Sequence, residues 1–374
     1  MRILHLSKFY PPDPGGLEQV VAQLANGAVR AGHDVRVVAA TGSGWARQER
    51  GQRLTEPPRG GVVVIRLPTT GILWSQPIVP GYIAAARGPA DVVHVHHPHP
   101  LADLAVVLGP RRPIVVTHHS DIRRQATAKP LYWPLTRTVL RRAAAIVVAT
   151  GANIEVSREL RGLENKIRVI PFGVDVERFS PKPDGSRPKT FPQNPAVPVG
   201  LFVGRLVGYK GLHVLLDALK GTDLHVVIVG GGPERPGLEQ RIARLNLARQ
   251  VVLAGEVSDE ELPAYYRAAS YFVLPSITPQ EMFGVTLIEA MATERPIITT
   301  ALPTGVHEVN AAGVTGLEVP VGDAAELRKA MRRLSEDAAL RLKLGAAGRQ
   351  RVLERFTLDR MIAGHLALYE ELAG

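Results

Sequence analysis

The chain has 374 residues and no cysteine, and its 45 basic and 35 acidic residues give a formal net charge of +10. The length predicts two domains with sizeable cores, and the missing cysteines exclude structural disulfides, thiolate-bound zinc and a cysteine nucleophile. No apolar run is long enough for a membrane span or a signal peptide, so we expect a soluble, cytoplasmic protein.

Short β-branched runs alternate with amphipathic stretches along the first half of the chain. Directly after the first run, apolar residues at helical spacing predict a helix over residues 17–31. Several runs are apolar on both faces, which is typical of parallel strands covered by helices on both sides. The predicted strands of this half are Arg2–Leu6, Asp34–Ala39, Val62–Leu67, Asp91–Val95, Pro113–Thr117, Ala144–Ala149 and Ile167–Pro171.

The same alternation resumes after an interruption. The polar segment 179–198 contains six prolines and no periodicity, so it is predicted to be a linker. The predicted strands beyond it are Val199–Gly204, Leu224–Gly230, Val251–Gly255, Tyr271–Pro275, Pro296–Thr300 and Gly316–Val319, and a final helix is predicted within 355–374. We therefore expect an α/β fold with two doubly wound, Rossmann-like domains, 1–178 and 199–354, facing each other across a cleft.

Two glycines, Gly15 and Gly16, lie between the first strand and the first helix. The free amides and the positive dipole end of a helix start favour an anion, and a plain turn is the alternative. The glycine-rich run Val229–Pro233 lacks the spacing of a dinucleotide fingerprint, so we do not expect a dehydrogenase. Without an Asp-x-Asp motif, we expect no metal clamp on a phosphate group.

The loop after the strand that ends at Gly204 carries two cations, Arg205 and Lys210. A helix begins near Gly211, which places both side chains at the carboxyl edge of the second predicted sheet, where α/β folds bind ligands. A planar guanidinium and a compact ammonium together suit a departing diphosphate. Two solvated surface residues are the alternative.

The segment from Glu281 to Glu289 follows the predicted strand Tyr271–Pro275 and becomes helical at Val285. Helical side chains lean toward the N-terminus of their helix, so Glu289 points back toward the position of Glu281. Carboxylates accept hydrogen bonds from sugar and ribose hydroxyls, and amides at a helix start suit a phosphate. A solvated helix residue and a helix cap are the alternative roles.

Four histidines, His94, His96, His97 and His99, lie in one predicted strand and the loop after it. Alternation along a strand puts the first two on one face. Because no carboxylate accompanies them, a role in lining the cleft floor is favoured over a metal site. We predict neither a metal ligand nor a cofactor for this chain.

The whole pattern resembles a known family, the retaining GT-B-fold glycosyltransferases of family 4, or glycosyl transferases group 1. The most specific elements are the arginine and lysine spacing after Gly204 and the two glutamates with seven residues between them. The segments that carry the resemblance are Gly15–Gly16, Thr117–Asp121, Pro171–Asp175, Gly204–Gly211, Val229–Pro233 and Glu281–Glu289. The resemblance implies metal-independent transfer of a sugar from a UDP- or GDP-sugar to a hydroxyl of a glycan, glycolipid or lipid-linked acceptor.

The resemblance also implies a donor site. Glu281 is implied to contact the transferred sugar, Glu289 the nucleotide ribose, and Arg205 and Lys210 the diphosphate. The residues implied to bind the donor are Gly15, Gly16, Arg205, Lys210, Glu281, Phe283, Gly284, Val285 and Glu289. The residues implied to be catalytic are His119, Arg205, Lys210 and Glu281.

One histidine after the strand that ends at Thr117 is implied to contact the sugar and orient it. The doublet makes the choice ambiguous, and we assign His119 with His118 as the second choice. His118, Asp121 and Arg123 are candidates for the acceptor side. The terminal helix is implied to cross back to the first domain.

Residues 111–142 carry eight basic side chains against one carboxylate, Asp121, and include Tyr132 and Trp133. If the acceptor is lipid-linked, this segment would rest on an anionic membrane surface, as a peripheral protein on the inner face of the cell membrane. A solvated, arginine-rich helix face is the alternative.

Two other functions compete. A sugar-nucleotide 2-epimerase shares the two-domain architecture but lacks this spacing of Glu281 and Glu289. A non-catalytic anion-binding or nucleic-acid-binding protein would explain the net charge, but no nucleic-acid-binding motif accompanies it, so we expect no nucleic-acid partner.

Overall fold

The computed structural model of the chain describes residues 1–13, 15–41, 54–59, 61–73, 76–121, 129–182, 187–192, 194 and 196–374. These residues form two units. The first unit comprises Met1–Phe172 together with Leu358–Gly374, and the second comprises Gly173–Thr357. In the described part of the chain no helix is long and apolar enough to cross a membrane.

The first unit is built on an eight-stranded sheet. Its strands are β1 (Arg2–Leu6), β2 (Asp34–Ala40), β3 (Leu54–Arg59), β4 (Val62–Leu67), β7 (Val92–His97), β8 (Ile114–His118), β9 (Ala145–Val148) and β10 (Ile167–Val169). The order is β10-β9-β8-β7-β1-β2-β4-β3, and only the edge strand β3 runs antiparallel among the described strands of this sheet. A separate hairpin pairs β5 (Gly71–Leu73) with β6 (Gln76–Ile78).

Helices cover both faces of this sheet. They are α1 (Gly16–Arg30), α2 (Tyr82–Ala85), α3 (Pro100–Leu108), α4 (Lys129–Arg142), α5 (Ala152–Val156) and α13 (Leu358–Ala373). One apolar cluster joins the sheet to α1 and α13, and another joins it to α2, α3 and α4. Burial on both faces explains why most residues of the central strands are apolar.

The second unit contains a six-stranded parallel sheet. Its strands are β11 (Val199–Val203), β12 (His225–Val229), β13 (Val251–Gly255), β14 (Tyr271–Leu274), β15 (Ile297–Thr300) and β16 (Gly316–Val319). The strand order is β13-β12-β11-β14-β15-β16. The helices are α6 (Leu212–Leu219), α7 (Arg235–Arg244), α8 (Leu262–Ala268), α9 (Val285–Ala292), α10 (Gly305–Val309), α11 (Ala324–Glu336) and α12 (Ala338–Arg355).

The two predicted Rossmann-like sheets are confirmed, and every predicted strand is present. The two units are defined by their internal contacts, and the predicted domain boundaries remain a prediction. The leading segment of the first unit ends at Phe172, and the described residues of the predicted linker 179–198 belong to the second unit. The terminal helix α13 belongs to the first unit, and the preceding α12 extends to Arg355.

Candidate active site

The carboxyl edge of the second sheet brings together the loops after β11, β12 and β14. Arg205, two residues beyond the end of β11, is exposed, and no described residue forms an ion pair with its guanidinium. Lys210 closes the short 3₁₀ turn Gly208–Lys210 and is buried. One cation of this loop is thus open to solvent while the other is held inside the protein.

Lys210 and Glu281 form a buried ion pair. Lys210 Nζ lies 2.5 Å from Glu281 Oε2, and the hydroxyl of Ser276 donates to the same oxygen at 2.9 Å. The hydroxyl of Thr304 donates to the main-chain carbonyl of Glu281 at 2.7 Å. Buried charges persist only when they are paired and hydrogen-bonded, so this network fixes both predicted residues in one arrangement.

Two glycines allow these loops to pack together. A Cβ atom at Gly211 would lie 2.0 Å from the carbonyl oxygen of Pro275, and one at Gly230 would lie 2.1 Å from that of Gly204. Both glycines also have a positive φ, of 68° and 127°, which disfavours other residues. The glycine-rich run after β12 therefore serves close packing of backbone on backbone.

The helix α9 begins at Val285, as predicted. Gly284 precedes it with φ 77°, and the buried ring of Phe283 contacts that of Phe356 edge to face at 5.8 Å. The hydroxyl oxygen of Thr286 is buried and has no hydrogen-bond partner among the described residues. The helix start therefore offers main-chain amides and one uncommitted hydroxyl.

Glu289 lies one turn inside α9, partly accessible to solvent. The hydroxyl of Tyr266 donates to its Oε2 at 2.6 Å. Burial raises the pKa of Glu289 to about 7, although the hydrogen bond from Tyr266 and the charge of Arg178 act in the opposite direction. A carboxyl with such a pKa changes its charge in the physiological range.

In the first unit, His119 directly follows β8, which ends at His118. Its ring stacks on that of Phe172, with 5.7 Å between the ring centroids. Its Nε2 lies 3.4 Å from Nδ1 of His96. The other ring nitrogen of His96, Nε2, lies 3.2 Å from Nδ1 of His5. Burial, with a smaller contribution from neighbouring histidines, lowers the pKa of His119 to about 3. Because each neutral imidazole has one donor and one acceptor, the tautomers of these three residues are coupled.

The second candidate, His118, lies on the other side of the sheet. Its Nε2 lies 3.2 Å from Glu159 Oε2 and 3.5 Å from Asp121 Oδ1, and its side chain is fully buried. Asp121 accepts hydrogen bonds from the Ser157 hydroxyl at 2.5 Å and the Arg158 amide at 3.0 Å. The third acceptor-side candidate, Arg123, lies outside the described residues.

The four clustered histidines are divided between the two faces of the sheet. His94 and His96 share a face, as predicted, and His94 contacts the hydroxyls of Tyr369 and Thr117 at 2.6 Å each. The ring of His97 stacks on that of His118 at 5.6 Å, and His99 Nε2 binds the Ser7 carbonyl at 3.2 Å. They do not converge on one point.

His97 lies between two carboxylates. Its Nδ1 is 3.3 Å from Asp103 Oδ2, and its Nε2 is 3.4 Å from Glu159 Oε2, with all three side chains fully buried. Burial alone would lower the pKa of His97, but the two carboxylates outweigh it and raise the pKa to about 9. The two carboxylates therefore favour the charged form of the His97 imidazole.

Gly16 begins α1, and Gly15 precedes it. The basic segment 111–142 is only partly described. Within α4, Tyr132 donates to Asp103 and Arg142 donates to the carbonyl of Val107 at 2.9 Å, whereas Arg141 is exposed. Some of these side chains therefore support the fold of the first unit.

Four contributors to these sites had not been predicted: Tyr266, Ser276, Thr304 and Glu159. Ser276 lies two residues beyond the end of β14, and this position near the carboxyl end of a strand could have indicated it. Tyr266 and Glu159 reach their partners through contacts that are distant along the chain. No local sequence pattern predicts such contacts.

Comparison with known proteins gives concordant results for both units. A family model described as Glycosyltransferase Family 4 matches residues 14–178, and one described as Glycosyl transferases group 1 matches residues 187–351. The chain is 36% identical to D-rhamnosyltransferase WbpZ of Pseudomonas aeruginosa, over 96% of this chain and 92% of that protein. It is 33% identical to O-antigen chain mannosyltransferase C of Escherichia coli, over 100% of this chain and 99% of that protein.

Among solved structures, sucrose-phosphate synthase from Thermosynechococcus elongatus superposes with a TM-score of 0.85 at 24% identity, over 99% of this chain and 98% of that structure. This likeness concerns the fold alone. It agrees with the two parallel α/β sheets described above.

Proposed function

Since this chain belongs to the retaining GT-B glycosyltransferases of family 4, we propose that it transfers a sugar of manno configuration from a nucleotide diphosphate to a hydroxyl of a glycan or lipid-linked acceptor. D-rhamnose is 6-deoxymannose, so the names of the two relatives above refer to sugars with the same axial 2-hydroxyl. The shared configuration supports a donor of that class. The base is guanine or uracil in this proposal.

The observation that carries the proposal is the Lys210–Glu281 pair beside the exposed Arg205. Transfer develops negative charge on the departing diphosphate, and fixed cations bind that charge more strongly as it grows. In the proposed complex, Arg205 and Lys210 hold the diphosphate, with help from the amides of Phe283, Gly284 and Val285. Once Lys210 turns to the phosphate, Glu281 is free to accept hydrogen bonds from the sugar hydroxyls.

The remaining roles follow the same scheme. Glu289 would accept the ribose hydroxyls, and His119 would orient the sugar from the first unit. Gly15 and Gly16 remain predicted diphosphate contacts, and His118, Asp121 and Arg123 remain predicted acceptor-side residues. Retention of anomeric configuration is proposed to come from front-face substitution, in which the leaving phosphate takes the acceptor's proton.

An assay with a panel of nucleotide-sugar donors tests this function. The purified chain is incubated with GDP- and UDP-linked mannose, D-rhamnose and glucose, with and without a mannose-terminated lipid-linked acceptor. Release of nucleoside diphosphate that requires the acceptor and is fastest with a manno-configured donor is the expected result. Equal rates with and without added Mg²⁺ are expected, because fixed cations take the place of a metal on the phosphates.

Two outcomes of the same assay would contradict the proposed transferase function. Epimerisation of a donor in the absence of acceptor would establish the isomerase instead. Nucleotide binding without turnover of any donor would establish the anion-binding alternative.

We further propose that the acceptor is reached at an anionic membrane through residues 111–142. Exposed Arg141 supports this, whereas Tyr132 is committed to Asp103. Co-sedimentation with phosphatidylglycerol vesicles is expected at low salt and is expected to fall as salt is raised, because screening weakens surface charge interactions. Neutral phosphatidylcholine vesicles are the control. Failure to co-sediment at low salt would contradict the proposal.

A further inference from the structure

A second group of functional side chains lies in the first unit, at the carboxyl edge of its sheet. His97 ends β7 and His118 ends the neighbouring β8, and the two residues are paired in the parallel register. Glu159 comes from the segment after α5, which follows β9. Three adjacent strands thus deliver two imidazoles and a carboxylate to one buried point.

The spacing of the ligand atoms is that of a coordination shell. Glu159 Oε2 lies 3.2 Å from His118 Nε2 and 3.4 Å from His97 Nε2, and Asp121 Oδ1 lies 3.5 Å from His118 Nε2. Zinc bonds of about 2.0–2.1 Å in a tetrahedron place neighbouring ligand atoms about 3.3 Å apart. The side chains of His97, His118 and Glu159 are fully buried, so water does not compete for these atoms.

A second observation concerns the orientation of His97. Its Nε2 is buried and has no hydrogen-bond partner among the described residues, although Glu159 Oε2 is only 3.4 Å away, and the same lack of a partner holds for Nδ1. Its other nitrogen, Nδ1, faces Asp103 Oδ2 at 3.3 Å. A histidine bound to a metal commonly has such an outer carboxylate behind it, which fixes the tautomer that leaves the metal-facing nitrogen unprotonated.

We propose that His97, His118 and Glu159, whose ligand atoms all lie within 4.8 Å of one another, bind a divalent transition-metal ion of the zinc type. Two imidazoles and carboxylate oxygens are ligands that Zn²⁺ accepts readily. The ion would tie together the segments that follow β7, β8 and β9. Through the main chain it would hold His118 next to His119, whose amide donates to the His97 carbonyl at 3.1 Å.

The other histidine group, His5, His94 and His96, is the weaker candidate. Their ligand atoms are also close together. However, both nitrogens of His94 already contact hydroxyls, those of Tyr369 and Thr117. No carboxylate belongs to this group, so it supplies no charge to offset that of a cation.

Metal analysis of the full-length protein tests the proposal without any sugar substrate. The protein is equilibrated with Zn²⁺, freed of unbound ion by gel filtration and analysed by mass spectrometry. One zinc per chain is expected, together with a melting temperature that Zn²⁺ raises and Mg²⁺ does not. The Co²⁺-substituted protein is expected to show the intense visible absorption of tetrahedral cobalt.

Variants locate the ion. Glu159→Gln is expected to weaken zinc binding by more than about 100-fold, and the outer variant Asp103→Asn by about 10–100-fold. Glu155→Gln, the same substitution at an exposed position of α5, and His94→Asn, in the other histidine group, are expected to retain the metal.

Two results would overturn the proposal. One is a wild-type protein that retains no zinc under these conditions, which decides the question even if a variant does not fold. The other is a cobalt spectrum that is unchanged in Glu159→Gln or lost in His94→Asn. Neither result depends on sugar transfer, so failure here is distinguishable from failure of the proposed function.

Discussion

Lys210→Ala is expected to lower kcat/KM for sugar transfer by about 100-fold or more, because one fixed donor to the developing diphosphate charge is lost. The largest part of the loss is expected in kcat, since the charge that Lys210 stabilises grows only as the bond to the sugar breaks. Steady-state kinetics with varied donor at a saturating concentration of acceptor measure this split. Lys220→Ala, which removes an exposed lysine at the end of α6, is the matched control and is expected to leave both parameters unchanged.

The Lys210–Glu281 pair is also expected to affect stability, so folding must be separated from catalysis. Breaking one side of a buried pair commonly costs about 3–5 kcal/mol, whereas replacing both partners by neutral groups costs less. Denaturant unfolding should therefore show Lys210→Met and Glu281→Gln to be less stable than the double variant, while all three lose transfer. A folded Lys210→Ala enzyme with near-normal turnover would remove Lys210 from the proposed role.

Glu289→Gln is expected to stabilise the protein while it weakens donor binding. Burial raises the pKa of Glu289 to about 7, against an ordinary value of 4.5. Between these pH values the folded state binds more protons than the unfolded state, so stability falls as pH rises through this window. The cost at pH 8 is at most about 3 kcal/mol, because the side chain is partly accessible to water.

Thermal melting across pH measures this effect. The gain in melting temperature of Glu289→Gln over the wild type is expected to be absent near pH 4, to grow up to about pH 7 and to stay constant above it. Glu336→Gln, an exposed substitution at the end of α11, is expected to give no such pH-dependent gain. A flat difference between Glu289→Gln and the wild type would show that the carboxyl is not destabilised by burial.

The second expected effect of Glu289→Gln is weaker binding of the donor. Ribose hydroxyls donate to an ionised carboxylate, so wild-type affinity for the nucleoside diphosphate is expected to increase as pH rises through about 7. In Glu289→Gln the affinity is expected to be lower and to lose this pH dependence. Isothermal titration with the nucleoside diphosphate checks both statements.

The strands of both sheets were predictable from the sequence because their apolar, β-branched runs are buried on both faces. The edge strand β3 was not, since its sequence contains Pro57 and Pro58 and shows no alternation. The three-residue strands β5 and β6 are too short to carry a pattern. The boundary of the first unit at Phe172 does not coincide with the proline-rich segment 179–198, because proline content marks irregular backbone and does not report which residues pack together.

For the candidate site, the ends of the predicted strands indicated which residues lie at the carboxyl edge of the second sheet. Arg205, Lys210 and Glu281 were placed there in this way. Chain order could not tell that Lys210 and Glu281 bind each other, because the contact spans 71 residues and depends on side-chain geometry. The histidines show the same limit. Alternation along β7 separates His96 from His97, but only the folded chain brings Glu159 to His97.

The position of α13 has a consequence for how the chain is made. Leu368 and Tyr369 belong to the apolar cluster that joins α1 to the first sheet, whereas the second unit is one continuous segment that precedes them. During synthesis domains usually complete their folding from the N-terminus onward. Here the order is reversed, since the first unit lacks part of its core until α13 has left the ribosome. A chain truncated before Leu358 would therefore have an intact second unit joined to a first unit with an uncovered apolar face, a substrate for proteases.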